Sequence, residues 1–177
     1  AIADGRFELV AAAFDHRPAK GKAFAESLGV DSARAYGSWS EMLCDEQNRE
    51  DPIDLVTIAT PNATHFEITK SFLEAGFNVL CEKPMTMTVE EGEEIYKISQ
   101  KSGKVFSVNY CYSAYPMVRQ ARAMVRSGDI GKLRLIITNF SHGHHADAKD
   151  AENPRVRWRY DPEMAGVSGQ FADCGIH

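Results

Sequence analysis

"IDLVTIATPNATHFEITKSFLEAGFNVLCEKP" spans residues 53–84 and holds a complete strand–helix–strand pattern. "IDLVTIATP" (53–61) is an apolar run of strand length, rich in β-branched residues. "NATHFEITKSFLEAG" follows, with Phe66, Thr69, Phe72 and Leu73 at helical spacing. Asn62 is the expected N-cap of that helix and Gly76 its C-terminal stop. "NVLC" (78–81) is the next strand, and it ends abruptly in Glu82-Lys83-Pro84. The strands are near-continuously apolar instead of alternating, which predicts a parallel sheet buried on both faces by helices.

The same rhythm extends outward. Upstream, "FELVAAAF" (7–14) is expected as a strand, followed by a helix over Ala19 to Leu28. Downstream, Thr88 and Glu91 form a T-x-x-E capping box before a helix that closes near Gly103. "KVFSVNY" (104–110) is a fourth strand, and Pro116 opens another helix ending at Gly128. Strand and helix thus alternate four times, and the expected class is α/β with a doubly wound, Rossmann-type parallel sheet. Beyond residue 130 the pattern changes: "KLRLIITNF" (132–140) is expected as a longer strand, and a polar loop with Pro154 and Pro162 follows. The predicted boundary lies near residue 111, giving a dinucleotide-binding domain over 1–111 and the start of a second domain over 112–177. A dinucleotide-binding sheet normally opens with a strand and a G-x-G-x-x-G turn, and neither stands in this sequence. The chain also ends at "DCGIH", inside an apparent helix. It therefore reads as an internal segment of a longer protein.

Composition narrows the function classes. The 177 residues carry a net charge of -5 and are 44% hydrophobic, values that fit a globular protein. The mildly acidic balance gives no electrostatic footprint for nucleic acid. The sequence has no signal-peptide core and no apolar span long enough to cross a membrane, so a cytoplasmic protein is expected. Cys44, Cys81, Cys111 and Cys174 lie far apart with no C-x-x-C pair, so reduced thiols are expected rather than disulfides or a zinc site.

Candidate chemistry gathers at the strand ends. Asp15 follows the first apolar run, where an acid commonly receives the ribose hydroxyls of an adenine dinucleotide. Its alternative role is a helix N-cap. Arg17 is placed to stack on adenine or to meet a 2′-phosphate, so NAD is the expected cofactor and NADP the alternative. Thr60, Pro61 and Asn62 stand where helix N-termini offer N–H groups to ligands, with His65 in the first helical turn. His65 also reads as an ordinary helix histidine. One strand over, a partly desolvated Lys83 could hydrogen-bond a substrate oxygen while Glu82 steadies it and Pro84 fixes the backbone. "SHGHHAD" (141–147) concentrates three histidines and an acid, but it lacks the H-E-x-x-H geometry of a zinc helix and is expected to be a loop lining a cleft, with no metal site.

"VTIATPNATH", "NVLCEKPMTMTVEEGEEI", "VFSVNYCYSAYPMVRQAR" and "GDIGKL" together resemble the Gfo/Idh/MocA family, which includes glucose–fructose oxidoreductase and inositol 2-dehydrogenase. The resemblance runs from about Phe7 to His177. It implies a Rossmann domain followed by an α/β domain with a mostly antiparallel sheet, and NAD(P)-dependent oxidation or reduction of a sugar or cyclitol. It assigns Lys83 and Glu82 to the nicotinamide ribose, implies a cis Lys83–Pro84 peptide, and places Asn109 near the nicotinamide. Trp158 and Arg159 resemble a cofactor-approaching W-R segment. Asp173 and His177 match the family's D-x-x-x-H pair. In the implied mechanism His177 is the general base, Lys83 stabilises the alkoxide, and Asp173 orients the histidine or the substrate. Departures include "GVSGQFADCGIH" for the usual triple glycine and Cys111 at a position that often carries charge. The implied partner is a small polyol or sugar, and a homo-oligomer (dimer or tetramer) is expected. Competing classes are a non-catalytic dinucleotide-binding regulator and a metal-dependent hydrolase using His144, His145, Asp173 and His177.

Overall fold

The computed structural model describes residues 5–139 and 147–166. Its centre is a three-stranded parallel sheet in the order β1 (Leu55–Ile58), β2 (Asn78–Cys81), β3 (Phe106–Val108). Before β1 come α1 (Pro18–Ser27) and α2 (Trp39–Glu46). The crossovers are α3 (His65–Glu74) between β1 and β2 and α4 (Val89–Ser102) between β2 and β3. After β3 come α5 (Pro116–Ser127) and the short α6 (Pro162–Ala165).

Register aligns Val56, Val79 and Phe106, and again Ile58, Cys81 and Val108. That face carries the core: Val56, Ile58, Val79 and Cys81 are buried against Ile68, Phe72 and Leu73 of α3 and Ile95 of α4. Phe72 and Leu73 are fully buried, each contributing about 1.5–3 kcal/mol relative to an exposed side chain. The opposite face carries Leu55 and Leu80, half-buried, and Thr57 and Ser107, both exposed.

α3 shows why the helix forms here. Its buried positions are His65, Ile68, Thr69, Phe72 and Leu73, the i, i+3, i+4, i+7, i+8 stripe of an amphipathic helix. Gly76, at φ +86°, ends it in the left-handed region. Asn62 is not the expected N-cap. It opens a 3-10 turn over Asn62–Thr64, and Thr64 precedes α3 without a side-chain cap bond. The capping box of α4 forms as read: Thr88 Oγ1 accepts from Glu91 N–H, and Glu91 Oε2 accepts from Thr88 N–H.

Two expected strands are absent. Residues 7–14 make a single parallel bridge, Ala12 with Ala35, because only Ala12 exchanges backbone bonds with the 34–36 segment. Residues 132–139 belong to no strand of the described sheet. Leu135, Ile136 and Ile137 stand 74%, 71% and 83% exposed as a result. The second domain's expected sheet is therefore not represented among the described residues.

Candidate active site at the carboxyl edge of the sheet

The parallel strands end together, so the segments after Ile58, Cys81 and Val108 meet at one edge, where open α/β sheets bind ligands. Glu82 N–H donates to Ile58 carbonyl (2.8 Å) and Asn109 N–H to Cys81 carbonyl (2.8 Å), which carries the ladder one step past each strand. Glu82 is half-buried and both its carboxylate oxygens are engaged. Oε1 accepts from Asn109 Nδ2 at 2.5 Å, and Oε2 accepts from the backbone N–H of Lys83 at 3.3 Å. Glu82 thus steadies Lys83 through the main chain, and Asn109 serves to orient Glu82. The Lys83–Pro84 peptide is cis. Behind them Cys81 is fully buried, and burial pushes its thiol up to about 11, so it is no nucleophile near neutrality.

The turn after β1 is built differently from the reading of its sequence. Thr60 is exposed, and its hydroxyl oxygen accepts from Thr64 Oγ1 at 2.6 Å. Asn62 donates its amide to the carbonyl of Ala165 (2.9 Å), which ties α6 onto the turn behind Pro61. His65 is 1% exposed, with Nδ1 2.7 Å from Pro84 carbonyl and Nε2 2.9 Å from Thr60 carbonyl. Both ring nitrogens face main-chain carbonyls of the chain itself, the arrangement of a buried helix histidine. The signal was legible in the stripe that starts at residue 65.

Asp15 closes the N-terminal extended segment. Arg17 grips it with both ends of its guanidinium, Nε to Oδ1 and Nη2 to Oδ2 at 2.9 Å each, and Lys20 lies 3.4 Å away. The Arg17 hydrogen bonds hold the Asp15 carboxyl well below the usual carboxylate range. Gly21 of α1 backs this turn: a Cβ there would stand 3.0 Å from Asp15 N. Trp158 and Arg159 are half-buried on a 3-10 turn over Arg157–Tyr160, with the guanidinium 5.1 Å from the indole. That turn packs on α6, which in turn packs on the Asn62–Thr64 turn, so the pair lies one layer out from the edge. Asp173, His177 and the histidines of "SHGHHAD" fall outside the described residues.

An acid at the end of the N-terminal extended segment, an exposed residue beyond β1 and an E-K-P turn beyond β2 fit the needs of a nicotinamide dinucleotide. The family profile described as "Oxidoreductase family, NAD-binding Rossmann fold" matches residues 1–110, and the GFO/IDH/MocA C-terminal domain profile matches 118–177. The chain belongs to the Gfo/Idh/MocA oxidoreductases. Among members of this family, it is 42% identical to the uncharacterized oxidoreductase YfiI of Bacillus subtilis over 97% of this chain and 44% of that protein. It is 30% identical to a D-xylose 1-dehydrogenase (NADP(+)) of Hypocrea jecorina over 98% of this chain and 43% of that one. An inositol dehydrogenase homolog of Azotobacter vinelandii, crystallised with NAD+, shares 41% identity with a TM-score of 0.91, covering 96% of this chain and 43% of that one. The homolog's complex with NADH and myo-inositol superposes with a TM-score of 0.82 at 41% identity, over 88% of this chain and 40% of that one. The Gfo/Idh/MocA chain described here therefore spans less than half the length of these relatives. It carries the parallel sheet of that family's NAD-binding Rossmann domain. Among its described residues no helix is long and apolar enough to cross a membrane.

Proposed function

We propose that this chain contributes the cofactor site and part of the substrate site of a dehydrogenase acting on a hydroxyl of a cyclitol or sugar. The observation that carries the reading is the E-K-P turn, where Glu82 holds the Lys83 main chain at the carboxyl edge while Asn109 holds Glu82. The homolog crystallised with myo-inositol and the relative named as a D-xylose 1-dehydrogenase support the substrate class. Residues 1–111 form the dinucleotide domain in this proposal, and 112–177 begin the substrate and oligomerisation domain.

When bound, the nicotinamide supplies the hydride acceptor. Asp15 receives the adenosine ribose, and the exposed turn at Thr60 and Pro61 faces the dinucleotide. Lys83 donates to the substrate oxygen as negative charge develops on it. His177 takes the hydroxyl proton, and Asp173, four positions before it in sequence, orients the imidazole.

The test is a panel of inositols, aldoses and their lactones offered with NAD or NADP to the full-length protein, following reduction of the cofactor. At least one polyol should reduce NAD. Lys83→Ala should lower kcat by about 10²–10³-fold while NAD affinity stays near the wild-type value. NAD binding without turnover of any polyol would make the protein a dinucleotide-sensing regulator instead.

A further inference from the structure

His65 stands at the start of the buried stripe of α3, between the two turns that make the site. Most helix histidines on such a stripe fill space. This one has both nitrogens within hydrogen-bond distance of main-chain carbonyls, Thr60 after β1 and Pro84 after β2. A carbonyl oxygen only accepts, so each contact is a hydrogen bond where the ring nitrogen carries a proton. Thr60 and Pro84 lie 24 positions apart in sequence, and residues 60–62 and 82–84 leave strands that pair only up to Ile58 and Cys81. Past those residues the Glu82 N–H to Ile58 carbonyl bond is the last backbone tie between the two turns. The imidazole is the next tie, and it reaches the far side of the E-K-P triplet.

We propose that His65 is a positioning residue for the dehydrogenase site: it pins the Thr60 and Pro84 carbonyls together and thereby sets the spacing between the dinucleotide turn and Lys83. The proposal rests on the dehydrogenase reading and adds a determinant of its geometry. Pro84 is bonded through its carbonyl at the residue directly after Lys83, so a shift of that carbonyl moves the lysine backbone with it. A misplacement of the order of 1 Å at a reacting group can cost about 10²-fold in rate. Thr60, by contrast, sits on the cofactor side of the clamp. The two contacts therefore have separable consequences, and side chains of different length separate them. The amide of asparagine stands near where Nδ1 of histidine does, and that of glutamine near Nε2.

The experiment compares His65→Ala, His65→Asn and His65→Gln in the full-length protein, reading amide hydrogen exchange, NAD affinity and steady-state kinetics on the best polyol. His65→Ala should speed exchange at residues 60–64 and 85–88 while the β1–β3 ladder keeps its protection. It should also lower kcat by at least tenfold, on the scale expected for a displaced catalytic group. His65→Asn should recover protection of 85–88 and part of kcat, and His65→Gln protection of 60–64 and NAD affinity. Exchange that rises evenly through the ladder, or a His65→Ala enzyme with wild-type kcat and unchanged exchange, would overturn the proposal. Exchange is read without substrate. A wild-type protein that oxidises no polyol would therefore end the dehydrogenase reading and leave the clamp to be judged by exchange alone.

Discussion

Asp15 carries a full negative charge at neutral pH, because the Arg17 guanidinium holds its carboxyl ionised. A 2′-phosphate arriving there meets like charge, while a ribose hydroxyl finds an acceptor. Arg17 is spent on the same carboxylate, so it is not offered to a phosphate in this arrangement. Asp15→Ser removes the repulsion and releases the guanidinium at once. The ratio of NAD to NADP affinities should therefore fall by roughly tenfold or more. A titration of both cofactors against both proteins measures it. A wild-type preference for NADP would sink the assignment of Asp15.

At the scale of elements, α4 is the helix that supports the lysine turn, since its Gly92 lets Met85 approach to a distance of 3.0 Å from where a Cβ would stand. Its N-terminus is closed by Thr88 and Glu91. Thr88→Ala removes one acceptor for an otherwise unpaired N–H and should lower stability by about 1 kcal/mol, read as a shift of the urea midpoint at constant slope. An unchanged midpoint would mean that Glu91 alone caps the helix. Such caps are local, and this one was legible in four letters. The same pattern at Ser38–Glu41, where Ser38 Oγ accepts from Glu41 N–H and Glu41 accepts from Gly37 N–H, opens α2, which the sequence reading passed over. Parallel strands and crossover helices were also readable, because their apolar runs and 3.6-residue stripes are properties of short windows. Strands at 7–14 and 132–140 were not, because a strand exists only with a lateral partner, and a window of sequence does not contain one. The place of His65 and Asn62 at the edge is legible in the sequence, and their partners, Pro84 and Ala165, are not, because those contacts join distant segments. Asp173 and His177 remain where spacing and resemblance place them.

At the scale of the molecule, the N-terminal segment is joined to the sheet by a buried polar cluster. Glu46, fully buried, accepts from Arg34 (Nη2 at 2.6 Å) and from Ile53 N–H at 3.0 Å, and the Tyr36 hydroxyl lies against both Glu46 and Asp45. Burial first, then these two carboxylates, push the Tyr36 phenol above its ordinary value of 10.0. The folded state thus holds that proton more tightly than the unfolded chain. The resulting stability is present below pH 10 and is lost as pH rises beyond it. Urea midpoints taken across the alkaline range should fall for the wild type more steeply than for Tyr36→Phe, which has no phenolic proton to lose. Parallel curves for the two proteins would show that the cluster does not govern the alkaline limb.

The bond from Asn62 to Ala165 joins residues 103 positions apart. Closing a free loop of that length costs about 4 kcal/mol of chain entropy, and one hydrogen bond returns about 1. The bond therefore does not draw its ends together; it forms after folded structure between them has already shortened the distance. During synthesis Asn62 leaves the ribosome long before Ala165, and its amide spends that interval in water. The turn behind Pro61 is thus completed by a carbonyl translated 103 residues after it.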